Sequence, residues 1–229
     1  MRRAVVGFVV HVCVAGAAHA GPWAQPQGGW YARGVYSSET LNGADGQRAD
    51  LYGEYGLLPR WTVTAKSEAV TYEDTNAFDR ESYRLSIRHQ FWSHEGWAAG
   101  LEVGPVYGST ITSLTGCERL GFEGRASGGY SGYLNGLAFY AFADAAYLQH
   151  EDSCYRQRIE LGYGADIGAN LFIAQQLWIE RGNQSASSDK YETQIGYHFP
   201  ILDLAIGYRE EIGGAFEEEA ILIAFTMRR

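Results

Sequence analysis

Residues 83 to 92 read YRLSIRHQFW, and apolar and polar side chains alternate along this stretch. One face of an extended chain would carry Tyr83, Leu85, Ile87, His89 and Phe91. The other face would carry Arg84, Ser86, Arg88, Gln90 and Trp92. Successive side chains of a β-strand point to opposite faces of the sheet, so a period of two predicts a strand whose faces meet different surroundings. The stretch therefore predicts a sheet with one apolar side and one charged side.

The same alternation recurs along the chain and predicts twelve strands in all. Tyr155 to Gly164 repeats it most clearly. Most of these strands exceed the ~5–6 residues usual in soluble proteins and match the ~9–11 residues with which a tilted strand crosses a bilayer. The predicted strands lie near residues 28–38, 48–57, 61–73, 80–92, 96–108, 124–134, 137–149, 154–165, 169–181, 190–199, 202–211 and 218–227.

The predicted connections alternate between short and long. Short turns at one end and long loops at the other are typical of transmembrane barrels with periplasmic turns and external loops. An even number of strands then places both chain ends on the periplasmic side. The short connections are residues 58–60, 93–95, 135–136, 166–168 and 200–201. The longer ones are residues 39–47, 74–79, 109–123, 150–153, 182–189 and 212–217.

Aromatic residues are sorted toward the ends of the predicted strands. The β-propensity of aromatic side chains explains their number but not this sorting. Two belts at opposite strand ends indicate interfacial girdles, in which the apolar part of each ring is buried in lipid and its polar group is hydrated. The belt beside the short turns comprises Trp30, Trp61, Trp92, Trp97 and Phe199. The belt beside the long loops comprises Tyr36, Tyr72, Tyr107, Tyr147, Tyr155, Tyr191 and Tyr208.

The composition of the 229-residue chain excludes several classes of protein. Aromatic residues make up 14% of it, which is too many for a disordered chain. A net charge of -9 argues against a nucleic-acid partner, because such proteins normally show a basic patch. The mean hydropathy of -0.24 argues against a helical membrane protein.

The first twenty residues have the pattern of a secretory signal peptide. A basic start, Met1 to Arg3, precedes an apolar run from Ala4 to Ala18, and Ala18 to Ala20 forms a small-x-small cleavage site. We therefore divide the chain into a cleaved signal peptide, residues 1–20, and a single barrel domain, residues 21–229. Cleavage would remove two arginines and no acid, which takes the net charge from -9 to -11.

Together these features resemble those of bacterial outer-membrane β-barrel proteins, and no motif narrows the resemblance to a characterised family. The resemblance implies an all-β fold: a closed antiparallel up-and-down transmembrane β-barrel of about 12 strands, with 10–14 possible. It also implies the outer membrane of a Gram-negative bacterium, contacts with lipid and lipopolysaccharide, and assistance from barrel-insertion machinery, and it leaves the oligomeric state open. Members of this class usually end in an aromatic residue, whereas this chain ends in Arg228 and Arg229.

A soluble periplasmic β-sandwich or lipocalin-like barrel is the competing fold. Such a fold would turn its apolar face into a core, which needs bulky side chains, whereas a lipid-facing surface tolerates small ones. The small residues on the predicted apolar face favour the membrane barrel. They are Ala32, Gly34, Ala99, Ala126, Gly128, Ala141, Ala143 and Ala145.

In a membrane barrel the polar face would line the lumen. A desolvated lone ion costs several kcal/mol, so these charges must be paired or hydrated. They would form either a closed salt-bridge network that plugs the barrel or a water-filled path that selects solutes. The predicted lumen-lining residues are Arg33, Glu54, Lys66, Glu68, Arg84, Arg88, Glu102, Arg125, Asp144, Arg156, Arg158, Glu160, Glu180, Glu192, Asp203 and Arg209.

Two pairs of arginines, Arg84 with Arg88 and Arg156 with Arg158, draw particular notice. Adjacent guanidinium groups could grip a carboxylate or a phosphate bidentately. The plainer expectation, which we favour, is that they pair with acids of neighbouring strands, namely Glu68, Glu102 and Glu160.

Two cysteines remain after the predicted cleavage, Cys117 and Cys154, both in connections on the external side. An even pair in an exported protein favours a disulfide. Closing a loop of this length would stabilise the fold by ~3–4 kcal/mol on the loop-entropy account.

Strand number bears on function without deciding it, because ~8 strands give a filled interior and 16–18 an aqueous channel. The favoured hypothesis is a channel for ions or small polar solutes. The alternatives are a plugged structural or assembly barrel that accompanies surface-polymer export, and a membrane-embedded lipid hydrolase.

A hydrolase needs a nucleophile, a base and an acid within hydrogen-bond distance of one another. His150, Asp152 and Ser153 are adjacent in the sequence and are better explained as a turn. The sequence thus predicts no enzyme activity, no cofactor, and no catalytic or metal-binding residue.

Overall fold

Twelve antiparallel strands form one closed barrel in the computed structural model, which describes residues 21–73, 79–108, 117, 119–183 and 187–229. The predicted signal peptide lies outside these residues. Each strand pairs with its neighbours along the chain. The strands are β1 (Trp30–Leu41), β2 (Ala44–Leu58), β3 (Trp61–Tyr72), β4 (Arg80–His94), β5 (Trp97–Gly108), β6 (Leu120–Leu134), β7 (Leu137–His150), β8 (Tyr155–Gly168), β9 (Leu171–Gly182), β10 (Ser187–His198), β11 (Asp203–Gly214) and β12 (Glu218–Arg228).

The barrel closes through β1 and β12, which pair from Tyr31 opposite Arg228 to Leu41 opposite Glu218. The last strand therefore forms although the chain ends in arginine, and backbone hydrogen bonds still join Trp30 to Arg229. The predicted all-β fold and its twelve strands are confirmed. Within the described residues no helix is long and apolar enough to cross a membrane.

The outer face of the barrel is apolar and exposed. Soluble monomers rarely expose contiguous apolar patches of more than a few hundred Å², so a complete belt of such side chains indicates a surface made for lipid. The belt contradicts the soluble alternative, in which apolar side chains would point inward and charges outward. It includes Leu51, Leu85, Leu101, Phe122, Ile159, Leu161, Ile195, Ile206, Ile221, Ile223 and Phe225.

We call one end of the barrel the turn end, because it carries the connections at residues 59–60, 95–96, 135–136, 169–170 and 199–202. The opposite loop end carries the other connections, of which the structure describes residues 42–43, 73, 79, 117, 119, 151–154, 183 and 215–217. The expected long loop at 39–47 is wrong: β1 and β2 continue to a two-residue turn, Asn42-Gly43. Both turn residues have positive φ, which a type I′ hairpin turn requires and which asparagine and glycine accept.

Two aromatic assignments need correction. Tyr72 is buried inside the barrel, where its hydroxyl donates to Glu39 Oε1 at 2.6 Å, so it does not belong to the outer belt. The pairing of β4 with β5 shifts between Gln90 and Trp92. This bulge leaves both Phe91 and Trp92 exposed, and the alternation predicted through Trp92 therefore stops at Gln90.

A charge on the outer face provides a test of its contact with lipid. Ile223 is the middle residue of β12 and is 52% exposed, whereas Ile201 is 81% exposed in a turn-end connection. We expect Ile223→Arg to lower the free energy of unfolding in lipid vesicles by about 2–4 kcal/mol, because arginine near the bilayer midplane is poorly solvated. The matched change Ile201→Arg should cost less than about 1 kcal/mol. Equal losses for the two variants, measured by urea titration, would contradict the lipid-facing assignment.

Candidate functional site: the charged interior

Arg88 lies at the centre of a buried cluster near the turn end. Its Nε donates to Glu102 Oε2 at 3.0 Å and its NH1 to Glu54 Oε1 at 2.9 Å. NH2 donates to the Tyr52 hydroxyl at 2.8 Å, and NH1 also reaches the carbonyl oxygen of Trp23 at 3.2 Å. Arg88 is only 1% exposed. An arginine so desolvated is stable only because two carboxylates balance its charge.

Arg125 holds together three acids from three strands. Its guanidinium lies 3.2 Å from Glu123, 3.3 Å from Asp144 and 3.4 Å from Glu160. Arg84 reaches the same Glu123 at 2.7 Å, so one carboxylate bridges two arginines. Glu102, one of the acids expected to pair with the arginines, binds Arg88 at 3.0 Å and lies 3.9 Å from Arg84.

The second arginine pair shares a single acid. Glu180 accepts from Arg158 at 3.0 Å and lies 3.5 Å from Arg156. Glu160, one of the acids expected to pair with the arginines, is bound by Arg125. Lys66 forms its ion pair with Glu68, two residues along the same strand.

Two cations on β10 and β11 meet the start of β12. Lys190 pairs with Glu218, and Arg209 pairs with Glu192 at 2.9 Å and with Glu218 at 3.7 Å. The Glu218 side chain is buried between these two cations.

Several interior charges escaped sequence reasoning. Most of them lie just outside or at the edge of the predicted strands, and extending the period of two past those edges would have found them. They are Glu39, Arg48, Asp50, Glu123, Lys190 and Glu218.

Arg33 differs from the other interior arginines. Its NH2 donates to Gln194 Oε1 at 3.0 Å and its NH1 to Thr226 Oγ1 at 3.5 Å, and both partners are neutral. Among the residues that the structure describes, no carboxylate lies within ion-pair distance of Arg33. The charge of Arg33 is therefore balanced only by interior carboxylates that lie beyond ion-pair distance.

At the turn end the Asp203 carboxylate contacts an arginine and a histidine. Arg228 NH2 lies 3.1 Å from Asp203 Oδ2, and His198 Nδ1 lies 2.7 Å from Asp203 Oδ1. The other ring nitrogen of His198 faces Asp166 Oδ1 at 3.2 Å. In the described part of the chain, no group of three or more His, Cys, Asp or Glu is placed to hold a metal ion.

A cavity of about 140 Å³ lies among these charges. Residues from nine of the twelve strands contribute to its wall, so it is a space in the barrel interior and not a crevice in one wall. Three of its lining residues are aromatic or aliphatic, namely Val35, Tyr52 and Trp178, and most of the rest are charged. The interior is thus not completely filled by side chains.

The chain preceding β1, residues 21–29, is folded into the turn end of the barrel. Ala24 N donates to Gln90 Oε1 and Gln25 N donates to Thr62 Oγ1, both at 2.9 Å. Gly21 and Pro22 are buried. We call residues 21–29 the N-terminal segment; it narrows the turn end by occupying the interior itself.

Backbone contacts with β2 fix the far end of the N-terminal segment. Gly28 N donates to the carbonyl oxygen of Gly56 at 2.8 Å, and Gly56 N donates to that of Gly29 at 2.9 Å. A Cβ atom on Gly56 would collide with the carbonyl group of Pro26. Glycine at position 56 is therefore required for this close approach.

The ring of Trp23 completes an aromatic layer at the turn end. It meets Tyr140 edge to face, with ring centroids 6.5 Å apart, a favourable aromatic geometry. A Cβ on Gly129 would stand 2.6 Å from the Trp23 ring, so this inward glycine leaves room for it. The other buried rings near the turn end are Tyr31, Phe142 and Phe172.

The predicted disulfide between Cys117 and Cys154 is present, with a Cα–Cα distance of 5.2 Å. The Asp152 carboxylate accepts from the backbone N–H of Cys117 at 2.9 Å and of Cys154 at 3.1 Å. Burial opposes ionisation, but the amide hydrogen bonds from Cys154 and Cys117 outweigh it and hold the pKa of Asp152 below its usual value. The loop contact is thus fully formed near neutral pH and weakens as the pH falls through this lowered pKa.

The same loop holds the residues weighed for hydrolysis. The buried His150 ring places Nδ1 2.8 Å from the carbonyl oxygen of Arg119, and Asp152 binds the cystine amides. In the described chain, no hydrogen bond links the Ser153 hydroxyl to that ring. His150, Asp152 and Ser153 therefore organise the disulfide-linked loops and do not form the relay of a nucleophile, a base and an acid.

Comparisons with known proteins agree with the fold. No family model matches the chain, and no curated protein matches it. Among solved structures, an outer-membrane channel from Pseudomonas putida F1 is similar at 12% identity and a TM-score of 0.55, covering 93% of this chain and 100% of that one. The NanC porin is similar at 10% identity and a TM-score of 0.60, covering 84% and 98%. The KdgM porin, solved in complex with disordered oligogalacturonate, is similar at 8% identity and a TM-score of 0.51, covering 85% and 98%. This chain thus has the fold of bacterial outer-membrane β-barrels.

Proposed function

We propose that this protein is an outer-membrane channel that passes ions or small polar solutes through its charged interior. The observation that carries the proposal is the belt of ion-paired side chains around a cavity inside a barrel with a lipid-facing wall. Replacing buried ion pairs by apolar residues is often neutral or stabilising, so a barrel that only had to be closed would gain nothing from such an interior. Charged walls provide a polar path for solutes.

The location follows from the same proposal. Export by residues 1–20 would deliver the chain to the outer membrane of a Gram-negative bacterium, where barrel-insertion machinery would assemble it among lipid and lipopolysaccharide. The structurally similar channel and the two porins support this reading by their shared fold, and they leave the solute of this chain open.

The N-terminal segment would act as the closure of this channel. It occupies the turn end through a few hydrogen bonds, which it forms with residues of β2, β3 and β4. A solute could pass the turn end only where the segment is displaced or leaves a gap.

Conductance in planar bilayers tests the proposal. We expect chain 28–229 to conduct several times more than chain 21–229, because the deletion removes Trp23 and its neighbours from the turn end. Gly56→Val should have a similar effect in the intact chain, since its side chain would unseat Pro26. The matched control is Gly124→Val, because a Cβ on Gly124 meets nothing within 4 Å, and it should conduct like the unmodified chain.

A plugged structural barrel is the second candidate, favoured by the aromatic layer and the N-terminal segment at the turn end. If chains 21–229 and 28–229 both insert and fold but neither conducts, the channel proposal fails and this candidate replaces it.

A further inference from the structure

The wall of the interior cavity carries more positive than negative charge. Eight cationic residues line it: Arg33, Arg48, Lys66, Arg84, Arg125, Arg158, Lys190 and Arg209. Five carboxylates do so: Asp50, Glu68, Glu160, Glu180 and Glu192. The cavity surface therefore has a formal excess of three positive charges, although the chain as a whole is acidic.

The acids that balance this excess are not among the cavity-lining residues. Glu123 pairs with Arg84 and Arg125, and Glu218 pairs with Lys190 and Arg209, yet neither acid belongs to the cavity wall. Arginine and lysine are the longer side chains and reach farther from the strand than glutamate does. The interior is thus close to neutral as a whole and positive on the surface that a solute would meet.

Unused hydrogen-bond donors face the same region. Arg33 has two neutral partners, although a guanidinium offers five N–H donors. An anion in the cavity would accept hydrogen bonds from the N–H donors of Arg33 that these two partners leave unused.

We infer that the cavity is a binding site for a small organic anion bearing one carboxylate. The planar guanidinium of Arg33 can donate two parallel hydrogen bonds to the two oxygens of a carboxylate. Chloride is a single spherical ion and cannot accept hydrogen bonds in this two-point geometry. The volume of about 140 Å³ suits a solute of about six non-hydrogen atoms, since a cavity of about 150 Å³ holds benzene. The inference deepens the proposed channel function by naming its solute class, and the site would lie on the path of that solute.

Equilibrium binding to the folded chain 21–229 in detergent, at low chloride, tests the site without requiring conductance. Lactate and propane-1,2-diol form a matched pair of probes, because the diol has a hydroxymethyl group in place of the carboxylate. We expect lactate to bind at least about tenfold more tightly than the diol, as charge-assisted hydrogen bonds are about twice as strong as neutral ones. Equal binding of the two probes, or no binding of lactate, would overturn the inference.

Variants locate the binding to Arg33. We expect Arg33→Gln to weaken lactate binding about tenfold and to leave the diol unchanged, and Arg33→Lys to retain part of the affinity. Arg33 has no carboxylate partner among the described residues, so its replacement leaves no acid unpaired. The matched control is Arg181→Gln, whose side chain is 49% exposed and pairs with Asp189 on the barrel's outer rim, and it should bind lactate like the unmodified chain. If Arg33→Gln bound lactate as tightly as the unmodified chain, the assignment of the binding site to Arg33 would be overturned.

The binding result and the conductance result are independent of each other. A barrel that conducts but does not prefer lactate refutes the anion site and leaves the channel standing. A barrel that binds lactate but never conducts, even as chain 28–229, refutes the channel and leaves the anion site standing.

Discussion

Replacing Arg88 by methionine is expected to lower the free energy of unfolding by about 3–5 kcal/mol, the largest loss from any single change considered for this barrel. Arg88 joins Glu54 on β2 to Glu102 on β5, and all three side chains are almost completely buried. Methionine fills much of the same volume but leaves both carboxylates without their closest cation. The loss therefore comes mainly from two acids that stay desolvated and uncompensated.

Neutralising Glu54 and Glu102 tests whether the loss of stability comes from these two uncompensated carboxylates. A variant that combines Arg88→Met with Glu54→Gln and Glu102→Gln should recover most of the stability, because replacing a whole buried ion cluster by neutral groups is often nearly neutral. The free energy of unfolding of each variant is measured by urea titration in lipid vesicles, with tryptophan fluorescence as the signal. The control Arg181→Met removes an exposed ion pair and should cost no more than about 1 kcal/mol. An Arg88→Met variant as stable as this control would show that the buried cluster carries little energy.

Removing the disulfide, by changing Cys117 and Cys154 to serine, is expected to lower the free energy of unfolding by about 3–4 kcal/mol. The two cysteines are separated by 37 positions and join the β5–β6 connection to the β7–β8 connection. A bridge over this distance restricts the unfolded chain far more than the folded one, in which the barrel already holds both connections in place. The effect should therefore fall mainly on the unfolded state.

Unfolding of the unmodified chain with and without reductant checks this prediction directly. Reductant should lower its stability to that of the double serine variant, and it should not affect the variant at all. The strands themselves should remain, because the described sheet closes through β1 and β12 independently of the bridge. An unmodified chain whose unfolding midpoint does not respond to reductant, although its cysteines are shown to be reduced, would contradict the prediction.

Sequence reasoning succeeded where structure depends on neighbours along the chain. Alternation in residues 83–92 indicated two-sided strands, strand length indicated a membrane crossing, and the even cysteine pair indicated the bridge. Tyr72 was misplaced because its position near a strand end was weighed above its parity. It follows Val70 on the inward side of β3, and the period of two would have placed it correctly.

Most ion partners could not be assigned in this way. Sequence reasoning named Glu102, which pairs with Arg88, but missed Glu180, which lies directly opposite Arg158 in the register of β8 with β9. Register depends on how two strands slide against each other, and a one-residue change would move every charge to the other face. A shift by two residues keeps the same side chains on the same face of the sheet. The alternation within a single strand therefore cannot distinguish registers that differ by two residues, although each register gives a charge a different partner.

The amino-acid sequence by itself determined the number of strands, the apolar and charged faces, and the disulfide, because each depends on the period of a strand or the count of a residue type. Only the tertiary structure decided that the N-terminal segment lies inside the barrel, that Arg33 has only neutral partners, and that more cations than acids line the cavity. These features arise when twelve strands close around a shared interior, which brings together residues as far apart as Arg33 and Gln194. Their positions depend on register, on side-chain length and on the width of the closed barrel, none of which is a property of any one segment.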